Sequence, residues 1–186
     1  MDKVYNLKLV EDQVKSCTKC EHLVKSRTNV VFGEGNPYAD IMFIGEAPGK
    51  EEDTHGRPFI GPAGRLLDNI IKACRWKRDN VYICNVLRCR PPKNRIPTEM
   101  ECRNCRPYLD KQIEIVNPSY IVCLGTTASQ SIVKLPISSA RGRFFFYDNR
   151  KVLCTYHPSY LLRNEQAKKL VWEDLQLLIC MCCSCR

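Results

Sequence analysis

Short apolar runs alternate along the chain with segments in which apolar residues recur at helical spacing. Residues 41–44, 81–84 and 120–124 are apolar throughout, and a glycine or a polar residue follows each run. Helical spacing marks residues 7–16, 63–74, 127–133 and 164–178. Continuously apolar strands are typical of a parallel sheet that is covered on both faces. The pattern therefore predicts an α/β fold, a three-layer α/β/α sandwich with a short, mostly parallel central sheet.

Other local signals complete this prediction. Further strands are expected at residues 30–32, 144–147 and 152–155, the last two around a turn at Asp148-Asn149. Thr98 and Glu101 have the spacing of a capping box, which predicts a helix toward Val116 that Pro107 interrupts. Since 186 residues suffice for one compact core, residues 1–186 are interpreted as a single domain.

The net charge of +9 is unevenly distributed. Residues 72–106 contain ten Lys or Arg against three acids, whereas four of the eight residues 46–53 are acidic. A basic surface beside a small acidic loop suits an enzyme that binds a polyanion and reacts at one place. Solvated surface helices explain the same distribution equally well, so the charge alone identifies no function.

The apolar runs also bear on location. None approaches the roughly 18–20 residues of a membrane helix, so no membrane partner is expected. The first 14 residues are mixed and charged, unlike a secretory signal peptide. We expect a cytoplasmic, nucleoid-associated protein of prokaryotic type. The last helix is not apolar enough to argue for a dimer, so a monomer is expected.

Thirteen cysteines are many for this length, and in a reducing compartment they favour metal binding or core packing over disulfides. Cys17 and Cys20 are spaced as two ligands of one metal site. Spacing alone offers Cys102 and Cys105 as the second pair, and four thiolates suit zinc and iron–sulfur equally. The cysteine-rich tail, from Cys180 to Cys185, is either a soft-metal site or a chain end without a role.

Three chemically distinctive segments follow predicted strands: residues 45–49, Asn85 and His157. Because the carboxyl ends of parallel strands share one edge of a sheet, where ligands bind in such folds, these segments are expected to meet in one crevice.

Four segments together resemble the family 4 (iron–sulfur, thermostable-type) uracil-DNA glycosylases. They are Cys17-Thr-Lys-Cys20, then Gly45-Glu-Ala-Pro-Gly49 with Glu52-Asp53 and Gly56-Arg-Pro-Phe-Ile-Gly61, then Asn85-Val-Leu-Arg-Cys-Arg-Pro-Pro92, and last His157-Pro-Ser-Tyr-Leu-Leu-Arg163. Each alone is weak, but all four in order over residues 17–163 are specific. The resemblance implies hydrolysis of the N-glycosidic bond of deoxyuridine in DNA, which leaves an abasic site and begins base excision repair.

The resemblance also implies a [4Fe–4S] cluster. Its ligands by family position are Cys17, Cys20, Cys89 and Cys105, which leaves Cys102 as a bystander. The cluster's expected role is structural. It would tie the N-terminal arm, which carries Cys17 and Cys20, to the proline-rich loop, which carries Pro91, Pro92 and Pro97.

The family positions further imply a pocket for a flipped uracil. Phe59 is expected to stack on the base, and Asn85 to read its edge through a side-chain amide that both donates and accepts. His157 is expected to donate to uracil O2 as negative charge develops there. The turn with Gly45 and Ala47 would present backbone N–H groups.

The remaining roles concern carboxylates and DNA. Ala47 stands where better-known uracil glycosylases carry a water-positioning aspartate, so Glu52, by family position, or Glu46 is the candidate to orient water or stabilise the cationic sugar. Ser159 is expected to bind a phosphate. A wedge that fills the gap left by the base is expected from Tyr160, Leu161, Leu162 and Arg163.

Two alternatives stay open. One is a relative that traps uracil covalently; those proteins carry an Arg-rich insertion with a histidine near the proline-rich loop, and residues 88–105 contain neither. The other is a non-catalytic zinc- or iron–sulfur-containing nucleic-acid-binding module that uses Cys102 and Cys105.

Overall fold

The computed structural model describes residues 2–183. Six strands within these residues form one sheet: β1 (Glu34–Gly35), β2 (Ile41–Gly45), β3 (Tyr82–Asn85), β4 (Tyr120–Leu124), β5 (Phe144–Tyr147) and β6 (Arg150–Thr155). The helices are α1 (Lys3–Lys15), α2 (Glu21–Ser26), α3 (Lys50–His55), α4 (Pro62–Ala73), α5 (Glu99–Val116), α6 (Gly125–Val133), α7 (Ile137–Ala140), α8 (Pro158–Leu161) and α9 (Ala167–Cys183). None of them combines the length and the apolar character needed to cross a membrane.

The strand order is β1-β3-β2-β4-β6-β5. The four inner strands are parallel, and the two edge strands β1 and β5 pair antiparallel to their neighbours. All four parallel strands therefore end at one edge of the sheet, which is where the site lies.

Alternate residues of each inner strand enter two different cores. Met42, Ile44 and Cys84 pack under α1, α5 and α6, whereas Phe43 and Ile83 pack under α4 and α9. Burial on both faces requires strands that are apolar at every position. The predicted three-layer α/β/α sandwich is confirmed.

Two local predictions are wrong. Residues 30–32 form no strand, although Val31 and Phe32 are buried. The Val31 N–H donates one hydrogen bond to the carbonyl of Arg88, and strand pairing begins only at β1. Helix α5 also runs through Pro107 unbroken, because Leu109 and Ile113 anchor its second half in the core.

The capping box at the start of α5 is confirmed. Thr98 Oγ1 accepts the N–H of Glu101 at 3.2 Å, and Glu101 Oε2 accepts the N–H of Thr98 at 2.6 Å. The last helix begins at Ala167 rather than Asn164 and continues through Cys183, so it includes the first cysteines of the tail. Cys185 lies outside the described residues.

Candidate active site

A cavity of about 780 Å³ opens at the carboxyl edge of the parallel strands. Its walls are the turns that follow β2, β3, β4 and β6, together with parts of the proline-rich loop and of α8. This size suits a small-molecule or nucleobase ligand. The cavity brings together most of the predicted site residues: Glu46, Ala47, Glu52, Phe59, Asn85, His157, Ser159, Tyr160 and Arg163.

Gly45, the last residue of β2, lies directly behind this wall. A Cβ at this position would lie 2.4 Å from Phe59 Cζ and 2.5 Å from Asn85 Oδ1, both far inside van der Waals contact. Only a glycine therefore lets the aromatic ring and the amide converge on one spot.

Asn85 is the most notable polar group of the cavity. The residue is 2% exposed, and its Oδ1 has no hydrogen-bond partner among residues 2–183. A buried acceptor without a partner costs about 1–3 kcal/mol. A ligand that offers a donor at this place would remove that cost.

Phe59 is held in an unusual conformation beside Asn85. Its φ of +51° is left-handed, which is unfavourable for an aromatic residue. The N-terminal end of α4 approaches the loop closely, since a Cβ on Gly64 would lie 1.9 Å from the carbonyl oxygen of Phe59. The Phe59 ring is tilted 33° to that of His157, with centroids 5.6 Å apart. The loop thus fixes the ring as one side of the cavity.

The imidazole of His157 has a defined tautomer. Its Nδ1 accepts the backbone N–H of Ser159 at 3.1 Å and lies 2.8 Å from Ser159 Oγ. Nδ1 therefore carries no proton, and the neutral ring carries its proton on Nε2. Burial lowers the pKa of His157 to about 4, against the smaller opposing effect of the Glu52 charge. The ring is a neutral N–H donor near pH 7.

Glu52 is engaged with the backbone of the cavity wall. Its Oε1 accepts the N–H groups of Ile60 at 2.9 Å and Gly61 at 2.8 Å, and its Oε2 accepts that of Gly49 at 3.1 Å. The carboxylate thereby ties the turn after β2 to the loop that carries Phe59. A direct catalytic role for Glu52 stays a prediction.

Glu46 is less constrained. Thr127 at the start of α6 donates its hydroxyl to Glu46 Oε2. Among the described residues no donor binds Oε1, so this oxygen is available to a ligand. Thr127 and the preceding Gly125 were missed from the sequence, although they follow strand residues 120–124 in the same way as the predicted segments follow theirs.

The structure contradicts Leu161 as a DNA contact. Leu161 is 1% exposed and packs in the core with α4 and α9, whereas Leu162 is 49% exposed and lines the cavity. Ser159, Tyr160 and Arg163 line the cavity, and their contacts with DNA stay a prediction. Leu162 is the apolar residue available for a wedge.

Tyr156 is a residue that the sequence analysis missed. It lies in the cavity wall, and its ring contacts that of Tyr160 with centroids 4.9 Å apart. Its place between a predicted strand and His157 was the available signal.

A second, smaller cavity lies near α2 and the start of α5. Four thiols line it, those of Cys17, Cys20, Cys89 and Cys105. Within residues 2–183, no three Cys, His, Asp or Glu side chains converge closely enough to hold a single metal ion. Four thiols around a common space suit a polynuclear cluster, in which each thiolate binds a different iron.

Hydrogen-bond donors approach the sulfurs of this cavity. Arg27 Nη1 donates to Cys89 Sγ at 3.1 Å, and Asn104 Nδ2 donates to Cys20 Sγ at 3.4 Å. A hydrogen bond to Cys17, with burial, raises the pKa of Tyr108 to about 12, so its hydroxyl remains a donor. Such donors are typical of the surroundings of iron–sulfur ligands.

Cys105 and Cys102 differ in these surroundings. Burial raises the pKa of the Cys105 thiol, but the Arg88 charge and the Arg88 backbone N–H oppose this rise. Burial and then the neighbouring Cys105 raise the pKa of Cys102 to about 11, and Cys102 does not line the cavity. The donor set thus fits a cluster on the four lining thiols.

Comparison with known proteins matches residues 32–176 to the Uracil DNA glycosylase superfamily. A type-4 uracil-DNA glycosylase from Thermotoga maritima is 48% identical over 91% of this chain and 91% of its own length. Similar enzymes from Sulfurisphaera tokodaii and Archaeoglobus fulgidus are 43% and 41% identical, covering 92% and 91% of this chain and 82% and 90% of their own.

Proposed function

The chain belongs to the uracil DNA glycosylase superfamily, with type-4 relatives along most of its length, and we propose that it excises uracil from DNA. The observation that carries this proposal is the buried, unpartnered Oδ1 of Asn85, a residue that lines the same cavity as the neutral N–H donor of His157. A flipped uracil offers both an N–H donor for the amide and a carbonyl acceptor for the imidazole.

Recognition begins with removal of the nucleotide from the base stack, as glycosylases require. The base stacks on Phe59, whose ring can lie close to the Asn85 amide because Gly45 has no side chain. Asn85 Oδ1 accepts the N3–H of uracil, and its amide N–H donates to O4. Cytosine presents an amino donor in place of O4 and lacks the N3–H, so it leaves the buried amide mismatched.

The neutral imidazole of His157 assists cleavage of the N-glycosidic bond. As the C1′–N1 bond breaks, its electron pair moves onto uracil, and negative charge develops at O2. His157 Nε2–H donates to this oxygen without transferring its proton, since a ring with a pKa of about 4 is a fixed donor rather than an acid. One such donor contributes roughly 10²–10³ in rate.

The sugar carries the complementary positive charge and takes up water at C1′, which releases a proton to solvent. A carboxylate near this carbon stabilises the cation and orients the water. Glu46 fits this role better than Glu52, because Oε1 of Glu46 is available whereas both oxygens of Glu52 are held by backbone N–H groups.

We further propose that Cys17, Cys20, Cys89 and Cys105 bind a [4Fe–4S] cluster, supported by their shared cavity and the donors around their sulfurs. When bound, it supplies a cross-link between the N-terminal arm and the proline-rich loop. Cys89→Ser is expected to remove the brown absorption near roughly 400 nm. Cys102→Ser, the matched control, is expected to keep it; the reverse pattern would favour zinc at Cys102 and Cys105.

The test of function uses anaerobically purified protein and a labelled oligonucleotide with one uracil. We expect abasic sites, revealed by alkali, on many DNA molecules per enzyme. Asn85→Ala is expected to lose excision while fold and visible spectrum stay unchanged. One stable covalent complex per protein would indicate the trapping relative instead, and a colourless protein that binds DNA without cutting would indicate the zinc module.

A further inference from the structure

The guanidinium of Arg88 is buried, and residues 2–183 provide no counter-ion for it. Arg88 is 0% exposed, and its two terminal nitrogens donate to neutral acceptors, the backbone carbonyl of Asn85 and Oε1 of Gln112. Its Nε has no partner among residues 2–183, and within that range no carboxylate pairs with the side chain. Isolated buried cations are strongly unfavourable, so a compensating negative charge is required.

An anion in the cysteine cavity would supply that charge. Arg88 immediately precedes Cys89 in the chain, and its own backbone N–H donates to Cys105. Four thiolates bound to a [4Fe–4S] core leave the assembly with a net negative charge. The cluster is therefore an anion beside the one buried cation that the described part of the chain leaves uncompensated.

Arg88 also contacts Asn85, which lines the larger cavity. Because its Nη1 binds the carbonyl oxygen of Asn85, it fixes the backbone of the residue that carries the unpartnered amide. Gln112 holds the second arm of the guanidinium and is itself held by Phe32 O at 3.1 Å and Tyr82 Oη at 3.0 Å. The side chain is thus held between Asn85 at the end of β3 and Gln112 on α5.

We propose that Arg88 is a positioning residue that takes the iron–sulfur cluster as its counter-ion and holds Asn85 in place for base reading. This inference rests on the proposed function and assigns the cluster a role at the uracil pocket through electrostatics, without any redox step. It predicts that the cluster and Arg88 stabilise each other, and that base reading requires the two-armed guanidinium and not only its charge.

The first test supplies Arg88 with an alternative counter-ion. Gln112→Glu places a carboxylate at the guanidinium, so the cation depends less on the cluster. We expect visible absorption to decay about 10–100-fold faster than in the wild type when an iron chelator is present. Gln130→Glu, the same change at an exposed position of α6, is the matched control and is expected to decay at the wild-type rate.

The second test separates charge from position. Arg88→Lys keeps a cation but loses the two-armed guanidinium. We therefore expect its visible absorption to decay at nearly the wild-type rate, while kcat for uracil excision falls. Arg88→Gln is expected to lose the cluster faster and to excise poorly. The proposal is overturned if Gln112→Glu decays like its control, or if Arg88→Lys excises with wild-type kcat. A wild type that lacks colour or excision would instead overturn the proposed function.

Discussion

The neutral state of His157 makes the protein sensitive to acid in a defined range. A histidine in an unfolded chain has a pKa of about 6.5, whereas burial lowers the pKa of folded His157 to about 4. Between pH 6.5 and about 4, His157 is therefore protonated in the unfolded chain but neutral in the folded protein. Stability is therefore lost as the pH falls from about 6.5 toward 4, and at pH 4.5 the loss amounts to about 2–3 kcal/mol.

The assay compares apparent melting temperatures of the wild type and His157→Gln at pH 7.5 and 4.5, at one scan rate. For a domain of this size, 1 kcal/mol shifts the melting temperature by about 2–4 °C. The wild type should lose roughly 5–10 °C more than the variant on acidification, because the other titrating groups are common to both proteins. The glutamine remains neutral throughout this range, so it provides the baseline.

Two results would refute this reasoning. Equal losses of melting temperature in the two proteins would mean that folded His157 titrates near its ordinary pKa. A fall in kcat/KM as the pH rises from 6 to 7.5, following the deprotonation of a histidine, would mean that the ring works as a general acid. The neutral-donor mechanism instead requires uracil excision to stay level down to about pH 5.5, since Nε2–H is present throughout.

Three further predictions concern the cavity wall. Gly45→Ala should lower excision by roughly 10²-fold, because its Cβ displaces Phe59 and Asn85, and should lower stability by about 1–3 kcal/mol; normal activity would place the base elsewhere. Leu161→Ala should cost about 2–5 kcal/mol of stability in a denaturation assay, whereas Leu162→Ala should change stability by less than about 0.5 kcal/mol and weaken binding of uracil-containing DNA. Glu52→Gln should lower melting temperature and activity together, since an amide cannot accept three N–H groups as the carboxylate does; a fall in kcat alone would make Glu52 catalytic.

The sheet was largely predictable because burial on both faces leaves a continuous apolar signal. Strand β4 occupies the predicted residues, and β2 extends the predicted strand by one residue, Gly45. Residues 30–32 show the limit of this signal: Val31 and Phe32 are buried but pair with no strand. An apolar run reports removal from water, and it does not report which backbone groups find partners.

The site likewise contains some residues that the sequence could predict and some that it could not. The segments that line the cavity were predictable because they follow strands whose carboxyl ends must meet. The choice between Leu161 and Leu162 was not, because α8 is a single turn and gives no periodicity that would assign one leucine to the core. Arg88 gave no signal at all, since an arginine beside a proline-rich loop is normally a surface residue.

The unsatisfied groups of the protein explain how its two cavities belong together. Within residues 2–183, three buried side-chain atoms have no partner: Oδ1 of Asn85, Nε of Arg88 and Nε of Arg150. Two of these lie three residues apart, on the segment that runs from one cavity to the other. Folded proteins rarely leave such groups unpaired, and those that they do leave call for a partner that the chain itself does not supply. Oδ1 of Asn85 would be satisfied by a donor such as uracil N3–H, and the Arg88 guanidinium would be satisfied by an anion at the cysteine cavity. If both proposals hold, the segment from Asn85 to Cys89 is complete only when uracil and the cluster are bound.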